Sequence, residues 1–315
     1  MKTELVEYRG QHADHDDLMD LPILRFPNLE SLEFDLSEPK RYIINDERYS
    51  LPLDLVYYPR PESKRLLVGL HGAEGRNTAN LPKFQFVRSF TTRKESLLFI
   101  ADSTLLQGEK INIGWYAGNK DTPLARLAAE AVNKAGAATN VDETLLIGHS
   151  AGGFGAILIG SMVPNSRAIS VNGQTVVDRY QPWTVKNLRE FAFPECETIE
   201  EMMDTYRDRL DLRTALQNRL DSSSFTHFGN RSDDASFSEA MPHFPLIRDH
   251  FGLPEEGGIT THGDAIVACD WHLEGISGHA MPGTAMPFIN LVLDDGEPSV
   301  PIHHSVDPRW IRQLV

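Results

Sequence analysis

Runs of consecutive apolar residues alternate with stretches of helical periodicity over most of this chain. The clearest runs predict strands buried on both faces, at residues 66–70, 96–101, 141–148 and 167–171. Further strands are predicted at residues 42–44, 53–58, 222–228 and 264–271. Helices are predicted at residues 81–90, 123–137, 237–251 and 286–293. This alternation predicts an α/β fold, with a mostly parallel sheet and helices on both of its faces.

The same pattern divides the chain into a core and three other segments. Residues 41–175 and 220–293 form the predicted core, and the charged, proline-containing residues 1–40 are predicted to be an irregular lead-in. Strand patterns vanish at residues 176–219, which are charged and helical in period. We interpret this segment as a helical cap over the site, or alternatively as an ordinary crossover helix with long loops. Residues 294–315 form a C-terminal tail.

Composition narrows the class of partner. The 315 residues include 30 Lys and Arg against 45 Asp and Glu, a formal net charge of −15. Nucleic acids and anionic membrane surfaces are bound by basic faces, so neither is an expected partner. The N-terminus has no apolar signal region, and no run of 18 apolar residues occurs, which favours a cytoplasmic location. The two cysteines fit no zinc spacing.

Residues 143–156 carry the strongest chemical signal. An apolar run ends in Gly148-His149-Ser150-Ala151-Gly152, and a helix pattern rich in small residues follows. A G-x-S-x-G sequence between a strand and a helix is typical of a nucleophile elbow, which lifts the serine hydroxyl clear of the strand end. The two glycines give the neighbouring backbone room for the sharp turn. The sequence therefore predicts Ser150 as a nucleophile.

With this elbow, the chain resembles the α/β-hydrolase superfamily over roughly residues 42–293. The elbow continues into two glycines and a small residue, as in esterase-D-type and feruloyl-esterase-type enzymes. The resemblance implies a triad in the chain order serine, acid, histidine. It also implies a Gly-His loop after the last strand, which His279 matches; His262 and His272 are competing histidines.

For the acid, the loop after the strand at 222–228 carries two neighbouring aspartates. The family's spacing, with the acid about three or four residues beyond a glycine or asparagine, favours Asp233, with Asp234 as the alternative, and one of the two is expected to cap a helix instead. Asp264 and Asp270 are weaker candidates, because both belong to the strand that precedes the histidine.

The resemblance also implies an oxyanion hole and a substrate pocket. The sequence His71-Gly72-Ala73 follows a buried strand, so the N–H groups of Ala73 and Ala151 are the predicted oxyanion donors. We expect His71 to support this loop beside the substrate. Trp115 and Tyr116 are predicted to line the substrate pocket, or alternatively to pack in the core.

These features predict a serine hydrolase that cleaves a carboxylic ester through an acyl-enzyme intermediate. Alternatives are an acyltransferase or thioesterase with the same site, or a non-catalytic binding protein of this fold. No cofactor or metal is expected. The substrate is expected to be a small-molecule or glycan-linked ester, whereas its identity and the oligomeric state do not follow from the sequence.

Overall fold

A computed structural model describes residues 5–74, 81–237, 241–272, 274–282, 284–293 and 303–304. Its strands are β1 (His15–Asp16), β2 (Leu21–Phe26), β3 (Lys40–Ile44), β4 (Leu53–Tyr58), β5 (Arg65–Leu70), β6 (Ser96–Ile100), β7 (Glu143–His149), β8 (Ser166–Val171), β9 (Ser223–Asn230), β10 (Gly257–Ile259), β11 (Ala265–Asp270) and β12 (His303–His304). Each of the eight predicted strands is present, with ends that differ by two residues at most.

The strands form one mixed sheet in the order β1-β2-β3-β4-β6-β5-β7-β8-β9-β11-β10, with β12 also paired to β11. Its central strands, from β6 to β11 in this order, are parallel. Strands β4 and β10 flank them in antiparallel orientation. The carboxyl ends of β5, β7, β8 and β9 therefore meet at one edge, where ligand sites of such sheets lie.

Helices cover both faces of the sheet. They are α1 (Val87–Phe90), α2 (Leu124–Thr139), α3 (Ala151–Gly160), α4 (Pro182–Ala192), α5 (Ile199–Thr205), α6 (Arg207–Leu210), α7 (Leu212–Ala215), α8 (Asp234–Phe237), α9 (His243–His250) and α10 (Met286–Leu293). Alternate side chains of the buried strands face opposite layers: Leu66 and Val68 pack with α2 and α3, whereas Leu67 packs with α1 and α10. The runs without polar residues reflect burial on both sides.

The prediction of an irregular lead-in at residues 1–40 is wrong at residues 15–16 and 21–26, which form strands. Strand β2 pairs with β3 in parallel, and β1 pairs with β2. A buried guanidinium fastens this segment: Arg41 donates to Asp54 Oδ1 and to Asp16 Oδ2, both at 2.9 Å, and to the Arg9 carbonyl at 2.8 Å. Arg41 and Asp16 are fully buried, so removal of either side chain would leave the other charge buried with one partner fewer, which destabilises the fold.

Two predicted helices are shorter than expected. Of the helix predicted at residues 81–90, only Val87–Phe90 is helical, after Phe86 at a positive φ of 71°. Of the helix predicted at residues 237–251, α9 covers His243–His250, Phe237 is the last residue of α8, and residues 238–240 lie outside the described part. Pro242 at the start of α9 is consistent with this break, because a proline in a helix interior removes a backbone donor.

Residues 176–219 form four short helices, α4 to α7, rather than one long one. An isolated bridge between Val176 and Asp211 closes the segment on itself. Arg209 joins it to the core by donating to the carbonyls of Ala117 and Asn119, at 3.2 and 2.8 Å. Helix α7 packs on α3, the helix that follows the elbow.

The predicted tail at residues 294–315 lies outside the described residues, apart from the short strand β12. In the part of the chain that is described, every helix is too short or too polar to cross a membrane.

Candidate active site

Strand β7 ends at His149, and the next residue, Ser150, occupies a strained turn before α3. Its φ and ψ are 57° and −125°, a conformation that a residue with a Cβ adopts only where the surrounding structure enforces it. A Cβ on Gly148 would overlap the Gly152 carbonyl, and one on Gly152 would overlap the Leu70 carbonyl. The backbone at residues 148–152 thus has the compact geometry of a nucleophile elbow.

The Ser150 hydroxyl is buried, with 4% of the residue exposed. Its Oγ accepts a hydrogen bond of 3.0 Å from the side-chain amide of Gln174. The structure records no hydrogen bond between Ser150 and His279, although both residues are described. The loops that carry them are adjacent, because the ring of His149 lies 4.8 Å from the ring of His279, centroid to centroid.

The structure brings Asp233 and His279 together. Asp233 Oδ2 lies 2.7 Å from His279 Nδ1, and Asp233 is 1% exposed whereas the His279 side chain is 28% exposed. A buried carboxylate accepting from Nδ1 leaves Nε2 as the ring nitrogen that can accept a proton. Asp234 is exposed on the first turn of α8.

Asp233 is also the N-cap of α8. One aspartate therefore both caps the helix and contacts His279, two roles that were predicted for different aspartates. Its Oδ1 accepts from the Ala235 N–H at 2.9 Å, the bond of a helix N-cap. The expectation that the capping residue and the histidine partner are different aspartates is therefore wrong. The two oxygens of this carboxylate point to different donors, which fixes its rotation.

The backbone of the His279 loop is held by side chains from three strand ends. The His279 carbonyl accepts from Asn172 Nδ2 at 2.9 Å and from His149 Nε2 at 2.6 Å. The Gly278 carbonyl accepts from Asn230 Nδ2 at 2.9 Å. Sequence reasoning missed these three residues, which share only a place at the end of β7, β8 or β9.

Gly278 is required by the close approach of two loops. A Cβ at this position would overlap the Ser232 carbonyl and would lie 3.1 Å from the Asp233 nitrogen. The Gly-His sequence thus lets the histidine loop approach the aspartate loop closely enough for the bond between Asp233 and His279.

His71 uses both ring nitrogens within the protein. Its Nε2 accepts from the Asp102 N–H at 2.9 Å, so Nδ1 carries the proton and donates to the Gly72 carbonyl at 2.7 Å. Burial lowers the pKa of His71 to about 4, so the ring is neutral. Neither nitrogen is left for a substrate, and the ring instead fixes the backbone of the predicted oxyanion loop.

Trp115 and Tyr116 are fully buried, and both have a positive φ, of 52° and 58°. The Tyr116 hydroxyl accepts from the His71 N–H at 2.8 Å and donates to the Ile100 carbonyl at 3.1 Å. The Trp115 indole donates to Gln174 at 3.1 Å. These contacts fit the core-packing alternative, and direct contact with substrate stays a prediction for both side chains.

The two predicted oxyanion donors belong to the elbow and to the loop that approaches it. Ala151 is the first residue of α3, where an N–H has no carbonyl partner within the helix. Ala73 is exposed and follows Gly72, on which an added Cβ would lie 3.4 Å from Ser150 Cβ and 3.9 Å from Ala151 N. The predicted oxyanion loop is therefore beside the elbow.

The weaker candidates are engaged elsewhere or exposed. Asp264 pairs with Arg219 at 2.6 Å, and His262 Nε2 bonds the Ser223 carbonyl at 3.0 Å. Asp270 and His272 are exposed. Within the described ranges, no group of three or more His, Cys, Asp or Glu side chains is arranged to hold a metal ion.

Buried histidines make stability depend on pH. Burial lowers the pKa of His71, His149 and His227 to about 4, and that of His243 to about 3. Since an unfolded histidine has a pKa of about 6.5, the unfolded chain binds more protons between these values. The contribution of these four histidines to stability is thus complete above about pH 6.5 and is lost as the pH falls towards 4.

When the pH is lowered from 7 to 5, the unfolding free energy of the parent should fall further than that of His227→Gln. The parent should lose about 2 kcal/mol more, which is the amount expected from one histidine with this pKa shift. Urea unfolding at both pH values measures it. The matched control is His272→Gln on the exposed surface, which should follow the parent; parallel curves for parent and His227→Gln would contradict the neutral, buried state of His227.

Comparison with known proteins supports the fold. No protein-family model and no curated protein matches the sequence. Among solved structures, the chain is similar to the acylaminoacyl peptidase of Pyrococcus horikoshii, with 12% identity over 89% of this chain and 44% of that chain, at a TM-score of 0.51.

It is also similar to the glycosylation-associated protein (Gap123) complex of Streptococcus agalactiae, with 16% identity over 74% of this chain and 42% of that chain, at a TM-score of 0.51. Acetyl xylan esterase 1 of Thermoanaerobacterium sp. JW/SL YS485 matches with 14% identity over 84% of each chain, at a TM-score of 0.49. This chain thus spans less than half of the first two proteins. It has the α/β-hydrolase fold that the sequence predicted.

Proposed function

We propose that this protein is a serine hydrolase that cleaves a carboxylic ester through an acyl-enzyme intermediate. The observation that carries the proposal is the 2.7 Å bond between Asp233 and His279, formed beside the strained turn at Ser150. An imidazole held in one tautomer by a buried carboxylate is suited to remove a proton from a serine hydroxyl. In the absence of substrate, the bond from serine to histidine is often long.

In the first step, His279 Nε2 takes the Ser150 proton as Oγ attacks the ester carbonyl. The N–H groups of Ala73 and Ala151 stabilise the negative oxygen of the tetrahedral intermediate. Each such donor lowers the activation barrier by about 3 kcal/mol. His279 then returns the proton to the leaving alcohol. In the second step, it activates the water that hydrolyses the acyl-enzyme, with Asp233 stabilising the imidazolium throughout.

A cavity next to His279 offers space for part of the substrate. It encloses about 630 Å³ and is lined by His149 and the residues that follow His279, Ala280 and Met281. Phe84, Lys83 and Arg88 also line it. Apolar walls with two cations suit an acyl or alcohol group of moderate size.

We further propose that residues 176–219 cover the mouth of the site. The segment starts two residues after Gln174, and its Tyr180 packs edge-on against Trp115 with ring centroids 5.7 Å apart. The Leu212 N–H donates to the Thr175 carbonyl at 3.0 Å, so the later part of the segment returns to the backbone next to Gln174.

The test uses a fluorophosphonate probe and an ester panel. We expect the probe to label the protein, with the adduct on the peptide that contains Ser150 in mass spectrometry. p-Nitrophenyl acetate and butyrate should release p-nitrophenol with the free acid as product. If an added alcohol receives most of the acyl group, the enzyme is an acyltransferase instead. Absence of both labelling and turnover would contradict an enzymatic role.

A further inference from the structure

Gln174 is buried directly beneath the serine and uses both ends of its amide. It is 0% exposed, its Oε1 accepts from the Trp115 indole at 3.1 Å, and its Nε2 donates to Ser150 Oγ at 3.0 Å. An indole N–H can only donate, so the amide oxygen must face Trp115 and the amide nitrogen must face Ser150. The direction of the bond to Oγ is therefore determined by its neighbour.

Trp115 and the backbone next to Gln174 are both held in place by the surrounding structure. Trp115 is fully buried and has a positive φ of 52°. The residue after Gln174 is fixed by His243: the Thr175 N–H donates to His243 Nδ1 at 3.3 Å, and the Thr175 hydroxyl donates to the His243 carbonyl at 3.0 Å. The amide donor is thus in position before any substrate binds, as a preorganised donor must be.

On the basis of the proposed function, we propose that Gln174 is a further catalytic residue and that Trp115 is its positioning residue. When Ser150 attacks, its O–H bond breaks, the proton moves to His279, and the Oγ–carbon bond forms. When the acyl-enzyme is hydrolysed, the Oγ–carbon bond breaks, the electron pair returns to Oγ, and Oγ takes a proton from His279. The Gln174 N–H stabilises the negative charge on Oγ in both steps.

The bond also orients the hydroxyl. A serine oxygen has one hydrogen and two lone pairs, and the Gln174 N–H occupies one lone pair. The hydrogen is thereby directed away from Gln174 and is free for His279. Because Gln174 has no exposed surface, it does not reach the substrate, so its loss should lower kcat and leave KM almost unchanged.

The test compares Gln174→Met, Trp115→Phe and the double variant. Methionine has a similar length and no donor, so Gln174→Met should slow fluorophosphonate labelling and reduce kcat by on the order of 10- to 100-fold, with KM within about twofold of the parent. Trp115→Phe removes the indole donor together with part of the ring system, keeps the Gln174 amide, and should cause a smaller loss of kcat. Since Trp115 acts through Gln174, the double variant should be no slower than Gln174→Met alone.

Gln107→Met is the matched control. Gln107 is a buried glutamine, 3% exposed, that donates to the Gly118 carbonyl at 3.2 Å and accepts from Asn119 at 2.7 Å. It has no hydrogen bond to Ser150, so this variant should lose stability without slower labelling. A merely structural role for Gln174 would give the two glutamine variants the same profile.

The outcomes separate this inference from the proposed function. If the parent protein labels at Ser150 and folded Gln174→Met labels equally fast, Gln174 is not catalytic although the hydrolase proposal stands. If the parent does not label at Ser150, the hydrolase proposal itself fails. Additive losses in the double variant would overturn the positioning role of Trp115. If Gln174→Met does not fold, Trp115→Phe decides, because parental labelling by that variant contradicts the inference.

Discussion

Under the proposed function, Ser150→Ala is expected to abolish fluorophosphonate labelling and to lower kcat for activated esters on the order of 10⁶-fold, the loss known for removal of the nucleophile from a serine hydrolase. The reason is that the proposed acyl-enzyme is formed by the Ser150 hydroxyl, which alanine lacks. Labelling and p-nitrophenyl ester turnover measure the effect. An alanine variant that hydrolyses these esters at near the parental rate would show that Ser150 is not the nucleophile.

Ser150→Gly is the matched control for the backbone. Both variants remove Oγ, so Gln174 loses its partner equally in each. At a φ of 57°, alanine keeps the strain of the turn, whereas glycine adopts such an angle freely. We expect the glycine variant to be more stable by roughly 1 kcal/mol. Equal urea midpoints for the two would show that the turn at Ser150 stores no strain.

Asp233→Asn and Asp234→Asn are expected to differ sharply. Asparagine at 233 can still accept from the Ala235 N–H and cap α8, but it removes the charge that holds the His279 tautomer. The expected loss is on the order of 10⁴-fold in kcat, with little change in thermal midpoint. Asp234 is exposed at a helix start, so its replacement should cost below about 1 kcal/mol and leave kcat unchanged.

Measuring kcat and the thermal midpoint for both variants decides between the two aspartates. Small, equal losses of activity would move the acid to another residue. Asp264 would then be a poor substitute, because its carboxylate is already paired with Arg219 at 2.6 Å.

The central sheet could be predicted because its strands carry their own signal. Strands buried on both faces must be apolar at each position, and this pattern needs no knowledge of distant residues. Strand β2 carries no such signal, since Pro22 and Arg25 interrupt its apolar residues. Its place depends on Arg41 meeting Asp16 and Asp54, which lie 25 and 13 residues away in the sequence.

The candidate site could be predicted where a motif marks it. The elbow predicts Ser150 and the Gly-His loop implied by the resemblance predicts His279, but spacing alone could not separate two adjacent aspartates. Gln174, Asn172 and Asn230 carry no motif, because amide side chains are common in loops. Their roles arise only where the ends of parallel strands are brought together, which is a property of the folded sheet.

The ends of the sheet have a consequence for self-association. Unpaired strand edges are templates for pairing with another chain, and natural proteins blunt them with short strands, prolines and charges. Here one end carries the two-residue β1 against β2, which contains Pro22, and the other carries the three-residue β10, preceded by Glu255 and Glu256. As far as the described residues extend, neither end offers a long apolar edge. A multimer of this protein is therefore expected to form through helix or loop surfaces, not through a continuous intermolecular sheet.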